Sequence, residues 1–241
     1  YYPTGKRNYM RVVASDALQG SFGARWMQKL GAKKVVIVDD QEAYGKGLAD
    51  VFNNTAKTLG MEVLGREAIK ANEGDYKTIA NKIAALKPDG VYYGGITGKG
   101  ASSLFKELKA VLPNAIKMGA DGILENDFAA DANNANVYGT IAGVPADKRT
   151  AKGNKFYADY KAKFNAEPEA YAIYGYDAAS VAIAAVSKVC KKDRAAILDA
   201  MITTKDFDGS IGKFSFDKDG DVTLDSMLGQ QVVGGKWADV S

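Results

Sequence analysis

The sequence predicts an α/β protein in which helices cover both faces of a parallel sheet. Short apolar runs alternate along the first part of the chain with stretches in which apolar residues recur at helical spacing. Strands that alternate with helices of about 10 to 15 residues are typical of a parallel sheet. A third observation is a change after residue 145, where helical segments follow one another with few strands between them.

The first β-α unit shows the pattern most clearly. Residues 34–39 form a β-branched run, residues 43–59 have helical spacing, and Gly60 ends that helix. The unit then repeats along the chain. The remaining predicted strands are 62–69, 90–95 and 116–120, and the remaining predicted helices are 76–86 and 101–111.

The second part of the chain is predicted to be helical over 151–164, 171–190 and 193–201. Helices with an apolar face need a surface to pack against, so we expect their sheet to come from elsewhere. In the tail, Ile211, Phe214 and Phe216 alternate with polar residues before an Asp-Gly turn, and residues 227–233 supply a returning strand. This pattern predicts a β-hairpin.

Composition excludes several classes of function. The chain has 241 residues, 46% hydrophobic and 25% charged, which is typical of a globular protein with one large or two small domains. It contains no histidine, which removes histidine-based catalysis and the usual zinc sites. A net charge of +3 with interspersed signs indicates no nucleic-acid surface, and no apolar stretch is long enough for a membrane span. The lone Cys190 ends an apolar run and is predicted to be buried on a helix.

Three motifs resemble parts of functional sites, but none of them meets the requirements of such a site. The glycine-rich loop at 94–100 lacks the first glycine and the final Ser or Thr of a phosphate-binding loop. The acidic loop at 217–221 has neither the glycine nor the glutamate spacing of a calcium loop. Asp39 and Asp40 could act as an acid–base pair, but carboxylates between a strand and a helix are more often caps. We therefore expect no catalytic residue, no metal and no cofactor.

The order of several motifs resembles the periplasmic branched-chain amino-acid binding proteins that serve ABC importers. The likeness extends over nearly the whole chain, and the motifs that carry it lie at 11–20, 30–47, 88–95, 176–178 and 207–214. The resemblance implies a two-lobe type I periplasmic binding fold, with parallel sheets flanked by helices and three crossovers, that closes on a ligand. It implies that 14–142 and 226–241 form the second lobe, while 1–13 and 146–222 belong to the first.

The same resemblance implies that the first lobe is incomplete. The family begins with β-α units that this sequence does not contain, so roughly 100 residues, about one small domain, would be absent. Residue 1 is Tyr rather than Met, and we expect the numbering to start inside a processed or cut polypeptide. The precursor is expected to carry a signal peptide.

Four ligand-binding positions are implied where motifs align. Tyr44 matches a tyrosine that lines the cleft, and Asp121 matches an acidic residue that receives the ligand's α-ammonium group. Tyr171 matches an aromatic wall against the ligand side chain, and Ile96 stands where some relatives have a tyrosine. Each has a plainer alternative: Tyr44 as a surface aromatic, Asp121 as a turn or cap residue, Tyr171 as helix core and Ile96 as ordinary packing.

The resemblance implies a receptor rather than an enzyme. It would capture an amino acid, branched-chain or similar, between its lobes and deliver it to an ABC permease. Its location would be the periplasm, or the outer face of a Gram-positive membrane by a lipid anchor, and it would bind no nucleic acid. The alternative is a ligand-sensing effector domain of a regulator or receptor with the same fold.

Overall fold

The chain divides into two compact units in a computed structural model that describes residue 5 and residues 7–71 and 75–240. One unit, here called the sheet unit, comprises Asp16–Ala142 and Met227–Ser241. The other, the helical unit, comprises Tyr1–Ser15 and Gly143–Ser226. Parts of both predicted lobe segments, residues 1–4, 6, 72–74 and 241, lie outside the described residues.

The elements follow in chain order. The first stretch contains α1 (Asp16–Lys29), β1 (Lys34–Asp39), α2 (Ala43–Thr58), β2 (Glu62–Ala68), α3 (Lys77–Ala85), β3 (Gly90–Gly94), α4 (Ala101–Val111), β4 (Ile116–Gly119), α5 (Asn126–Ala130) and β5 (Tyr138–Ala142). The helical unit then contributes α6 (Ala151–Phe164), α7 (Ala172–Val189), α8 (Arg194–Ile202), β6 (Phe207–Asp208) and β7 (Lys213–Phe214). The tail returns to the sheet unit as β8 (Met227–Val233) and β9 (Lys236–Asp239).

The predicted α/β class is confirmed in the sheet unit. Its sheet has the order β2-β1-β3-β4-β5-β8-β9, in which β1 to β5 run parallel, β8 pairs antiparallel with β5, and β9 pairs antiparallel with β8. The four predicted strands and the helices between them lie within two residues of their predicted bounds. Four of the helices and strands given above for this unit, α1, α5, β5 and β9, were not predicted.

Alternate residues of the central strands face two separate apolar layers. Val35 and Ile37 of β1 and Tyr92 of β3 pack with α1 and α2 on one face. Val36 and Tyr93 pack with α3 and α4 on the other. Because successive side chains of a strand point to opposite faces, a run that is apolar throughout requires this double cover.

The prediction that the two tail segments pair with each other as a hairpin is wrong. Residues 227–233 do form a strand, but β8 pairs with β5 and with β9 rather than with the Ile211–Phe216 run. Within that run, Phe214 pairs back to Phe207, and Phe216 makes only a bridge to Val222. The hairpin turn joining β8 to β9 is Gly234-Gly235, where both residues have positive φ, the conformation that tight hairpin turns require.

The helical unit confirms the three predicted helices. Asp177 of α7 is buried and accepts hydrogen bonds from the backbone N–H groups of Ser210 and Ile211, at 2.9 and 2.8 Å. Two motifs on which the resemblance rests, 176–178 and 207–214, therefore meet at one carboxylate.

Two features of α7 differ from an ordinary buried helix. It is apolar nearly all round, a composition typical of burial on every side, yet Ile183 and Val186 are exposed over 66% and 50% of their surface. The prediction that Cys190 is buried is wrong, because it caps α7 in the left-handed conformation (φ 51°) and is exposed. It follows the helix instead of lying on its packed face.

Candidate functional site

The carboxyl ends of three neighbouring strands lie side by side at one edge of the sheet. Asp39 at the end of β1 pairs with Gly94 of β3, and Tyr93 pairs with Gly119 at the end of β4. The order of strands reverses at β1, since β2 lies on one side of it and β3 on the other. In open α/β sheets, such a reversal is where ligands bind, beyond the carboxyl ends of the strands.

A close approach of two glycines fixes where Tyr44 stands. A Cβ atom on Gly45 would lie 2.4 Å from the carbonyl oxygen of Gly94 and 2.2 Å from Oδ1 of Asp40. The first turn of α2 therefore rests directly on the end of β3 with no side chain between them. This contact holds the preceding residue, Tyr44, over the loop that follows β4.

Tyr44 and Asp121 are joined by a hydrogen bond. The Tyr44 hydroxyl donates to Oδ1 of Asp121 at 2.7 Å and accepts from the backbone N–H of Gly122 at 3.3 Å. Burial raises the pKa of Tyr44, and the Asp121 carboxylate raises it further. The phenol therefore keeps its proton at neutral pH and remains a donor to the carboxylate.

A second donor reaches the same carboxylate oxygen from α1. Nε2 of the buried Gln19 lies 2.8 Å from Oδ1 of Asp121 and 2.8 Å from the carbonyl oxygen of Thr140 on β5. An amide and a phenol orient the carboxylate without neutralising its charge. Such a carboxylate is suited to receive a cationic group such as an ammonium.

Ile96 is the apolar member of this group. The residue is 39% exposed, and its Cγ2 atom lies 2.9 Å from where a Cβ atom on Gly122 would stand. The same position would be 3.2 Å from Cε1 of Tyr44, so the missing side chain at Gly122 lets Ile96 and Tyr44 approach one another. An exposed aliphatic group thus lies beside the oriented carboxylate.

The two aspartates at the carboxyl end of β1, Asp39 within the strand and Asp40 just after it, have structural partners. Asp39 accepts from Nε of Arg66 at 2.9 Å, and Asp40 accepts from the backbone N–H groups of Glu42 and Ile96 at 3.1 and 3.3 Å. Asp40 thereby ties the loop after β3 to the start of α2. Neither aspartate caps α2, whose N-cap residue is Glu42, so the capping alternative is wrong in detail, and the geometry gives no support to an acid–base role.

The structure brings three of the four predicted site residues together: Tyr44, Ile96 and Asp121. Tyr171 belongs to the helical unit, where it precedes α7, is 42% exposed and has its ring 6.0 Å from that of Tyr174. Its part in ligand binding stays a prediction.

Gln19 and Thr140 were missed by sequence reasoning. Gln19 lies within the motif at 11–20, but a glutamine in a helix has no distinctive spacing. The available signal was its place on the face of α1 that also carries Gly20, Gly23, Ala24 and Met27, all buried. A polar residue on such a face must find a partner, so it marks a candidate for a buried network.

Other kinds of site find no support within the part of the chain that the structure describes. No cluster of three or more His, Cys, Asp or Glu residues there could hold a metal ion. Across those same residues, no helix has both the length and the apolar character needed to cross a membrane.

Comparisons with known proteins agree with this architecture. A Leu/Ile/Val-binding protein of Rhizobium johnstonii, BraC3, is 32% identical over 224 residues, which are 92% of this chain and 60% of that protein. The structure of a leucine-binding protein from Thermotoga maritima, LivK, superposes with a TM-score of 0.85 at 25% identity, over 98% of this chain and 68% of that one. The isoleucine complex of LivJ from Streptococcus pneumoniae has a TM-score of 0.77 at 25% identity, over 94% and 66%.

The chain spans about three fifths of the length of the curated relatives that it matches. The relatives are named as Leu/Ile/Val-binding or amino acid binding proteins, and the structural neighbours include substrate-binding proteins of ABC transporters. The model of the family described as periplasmic binding protein matches residues 3–236. The chain therefore belongs to the periplasmic binding protein family.

Proposed function

We propose that this chain is the ligand-binding part of an extracytoplasmic receptor that captures a branched-chain or similar amino acid and delivers it to an ABC permease. The receptor carries out no reaction on its ligand. It acts in the periplasm, or outside the membrane of a Gram-positive cell on a lipid anchor. The names of the relatives support an amino-acid ligand.

The observation that carries the proposal is the Asp121 carboxylate, to which two neutral groups, the Tyr44 hydroxyl and the Gln19 amide, donate. A ligand ammonium placed on it would gain a charge-assisted hydrogen bond, which is stronger than a neutral one. Ile96 and the ring of Tyr44 offer apolar surface within reach of an aliphatic side chain. An amino acid with a branched alkyl group matches both features.

We also propose how the two units correspond to lobes and where Tyr171 acts. The sheet unit would correspond to the second lobe, 14–142 with 226–241, and the helical unit to the first lobe, 1–13 with 146–222. Tyr171 would contact the ligand's side chain from the helical unit. Its exposed ring has the size and polarity that such a contact needs.

An NMR titration of the ¹⁵N-labelled chain with leucine, valine and alanine tests the proposal. We expect saturable shifts of the Tyr44, Ile96 and Gly122 amide signals, larger for leucine than for alanine, and their loss in Asp121→Asn. NMR detects dissociation constants up to the millimolar range, so weak binding also counts. No shift at about 10 mM leucine, or shifts confined to other residues, would overturn the proposal.

A further inference from the structure

The backbone at residue 19 is fixed by close packing between two helices. A Cβ atom on Gly20 would lie 2.9 Å from Cβ of Val51 and 3.0 Å from the carbonyl oxygen of Leu48. Helix α1 therefore rests on α2 with almost no space between them. A side chain that leaves α1 at Gln19 starts from a well-defined point.

The orientation of the Gln19 amide is also fixed. Nε2 lies 2.8 Å from the carbonyl oxygen of Thr140 and 3.3 Å from its Oγ1 atom, and Thr140 is fully buried in β5. A carbonyl oxygen can only accept a hydrogen bond, so the nitrogen and not the oxygen of the amide faces it. The second N–H of the same nitrogen then points to Oδ1 of Asp121.

Among the residues of this network, Asp121 has the backbone that is least fixed by regular secondary structure. Asp121 is half-buried and begins a short 3-10 turn, Asp121–Ile123, whereas Gln19 is held by a helix and by the sheet. Tyr44 and Gln19 donate to the same oxygen of Asp121 from two different helices. Rotation of the carboxylate would break both hydrogen bonds at once, so the positions of both oxygens are set.

We propose that Gln19 is a positioning residue that holds Asp121 in the orientation required to receive the ligand's ammonium group. The inference rests on the proposed function, because it concerns how the same site recognises its ligand. A carboxylate that is already ordered avoids the conformational cost of ordering it on binding. Gln19 would not touch the ligand; it would act through Asp121.

The test compares leucine with 2-hydroxy-4-methylpentanoate, which has a hydroxyl in place of the ammonium. The affinity ratio between these two ligands is measured for the wild type, for Gln19→Met and for the control Gln28→Met. Gln28 lies on the same helix and donates to the carbonyl of Leu59 at an exposed position. We expect the preference for leucine to fall about tenfold in Gln19→Met and to stay unchanged in the control.

A merely structural role gives a different pattern. If Gln19→Met weakens both ligands equally, or still changes the ratio when Asp121→Asn is already present, the inference is overturned. If Gln19→Met keeps the full preference for leucine, Gln19 has no positioning role although the proposed function stands. A wild type that does not prefer leucine contradicts the proposed function itself.

A measurement without ligand covers the case in which Gln19→Met does not fold. The side-chain amide signals of Gln19 and Gln28 are compared in the wild type and in Asp121→Asn. We expect the Gln19 signals to move and its protons to exchange more slowly with water than those of Gln28. If the Gln19 signals do not move in Asp121→Asn, the contact with Asp121 is absent and the inference is overturned.

Discussion

The hydroxyl of Tyr44 lies 2.7 Å from Oδ1 of Asp121 although the two residues are 77 positions apart in the chain. The contact depends on the parallel sheet, which brings the end of β1 and the end of β4 to the same edge on either side of β3.

The close approach of Gly45 to Gly94 predicts a strong effect of one added methyl group. Gly45→Ala would place its Cβ within 2.4 Å of a backbone oxygen, so α2 must move away from β3. We expect the free energy of unfolding to fall by about 2 kcal/mol or more and leucine-induced shifts at Gly122 to weaken. Chemical denaturation gives the first quantity.

Gly47→Ala is the matched control in the same helix. A Cβ atom there meets nothing within 4 Å, and alanine is the better helix former. We expect Gly47→Ala to raise stability by about 0.5 to 1 kcal/mol. Equal effects of the two substitutions would contradict the packing described for α2.

Removing the hydroxyl group from Tyr92 and from Tyr93 should change the stability of the protein in different directions. The Tyr92 hydroxyl is buried and has no hydrogen-bond partner within the described chain, whereas the Tyr93 hydroxyl donates to the carbonyl of Ile96 at 3.2 Å. We expect Tyr92→Phe to leave stability unchanged or raise it by up to about 1 kcal/mol, and Tyr93→Phe to lower it by about 1 kcal/mol. Denaturation midpoints of the two variants decide this, and a larger loss in Tyr92→Phe would be inconsistent with the structure.

Lys117 predicts a change of stability with pH. Its ammonium donates to the carbonyls of Leu112 and Ala115 at 2.7 and 3.0 Å, and burial, with a smaller effect of Lys109, lowers its pKa to about 8. The pKa in an unfolded chain is about 10.4, so between about pH 8 and pH 10.4 the unfolded state binds more protons. In that window the lysine makes stability rise with pH.

The variant Lys117→Met isolates this effect. We expect the wild type to gain stability relative to the variant as the pH is raised from about 8 to about 10, and the difference to be flat below pH 7. Lys57→Met, at an exposed site on α2, is expected to show no such trend. A flat difference for Lys117→Met above pH 8 would contradict the lowered pKa.

Asp177 predicts a large loss of stability in the helical unit. Asp177→Ala would leave the buried N–H groups of Ser210 and Ile211 without their acceptor. We expect a cost of about 2 to 3 kcal/mol. Asp159→Ala, which removes only an exposed pair with Lys155 on α6, should cost about 0.5 kcal/mol or less. Comparable losses in the two variants would argue against the buried role of Asp177.

Much of the sheet unit could be predicted from periodicity alone. β1 and β3 are apolar runs buried on both faces, so their limits are visible in the sequence, whereas β2 carries charged residues and is only partly buried. β5 and β9 are short and mixed in character, and α1 carries glycines at Gly20 and Gly23 on its buried face. These glycines allow α1 to pack closely, but glycine has a low helix propensity, so the sequence does not indicate a helix there.

The site could be predicted in part for the same reason. Tyr44, Ile96 and Asp121 follow strand ends, and parallel strands bring such loops together. Gln19 and Thr140 depend on where α1 and β5 pack, which spacing along the chain does not reveal. The prediction of a tail hairpin was wrong because the pattern alone pairs β8 with the nearest alternating run, whereas its partners are β5 and β9.

The most direct test of the central claim is the affinity of the chain for leucine against 2-hydroxy-4-methylpentanoate, measured by the same NMR titration in the wild type and in Asp121→Asn. We expect the wild type to prefer leucine by about tenfold or more and Asp121→Asn to abolish the preference. Equal affinity of the wild type for both ligands, or a preference that survives in Asp121→Asn, would contradict it.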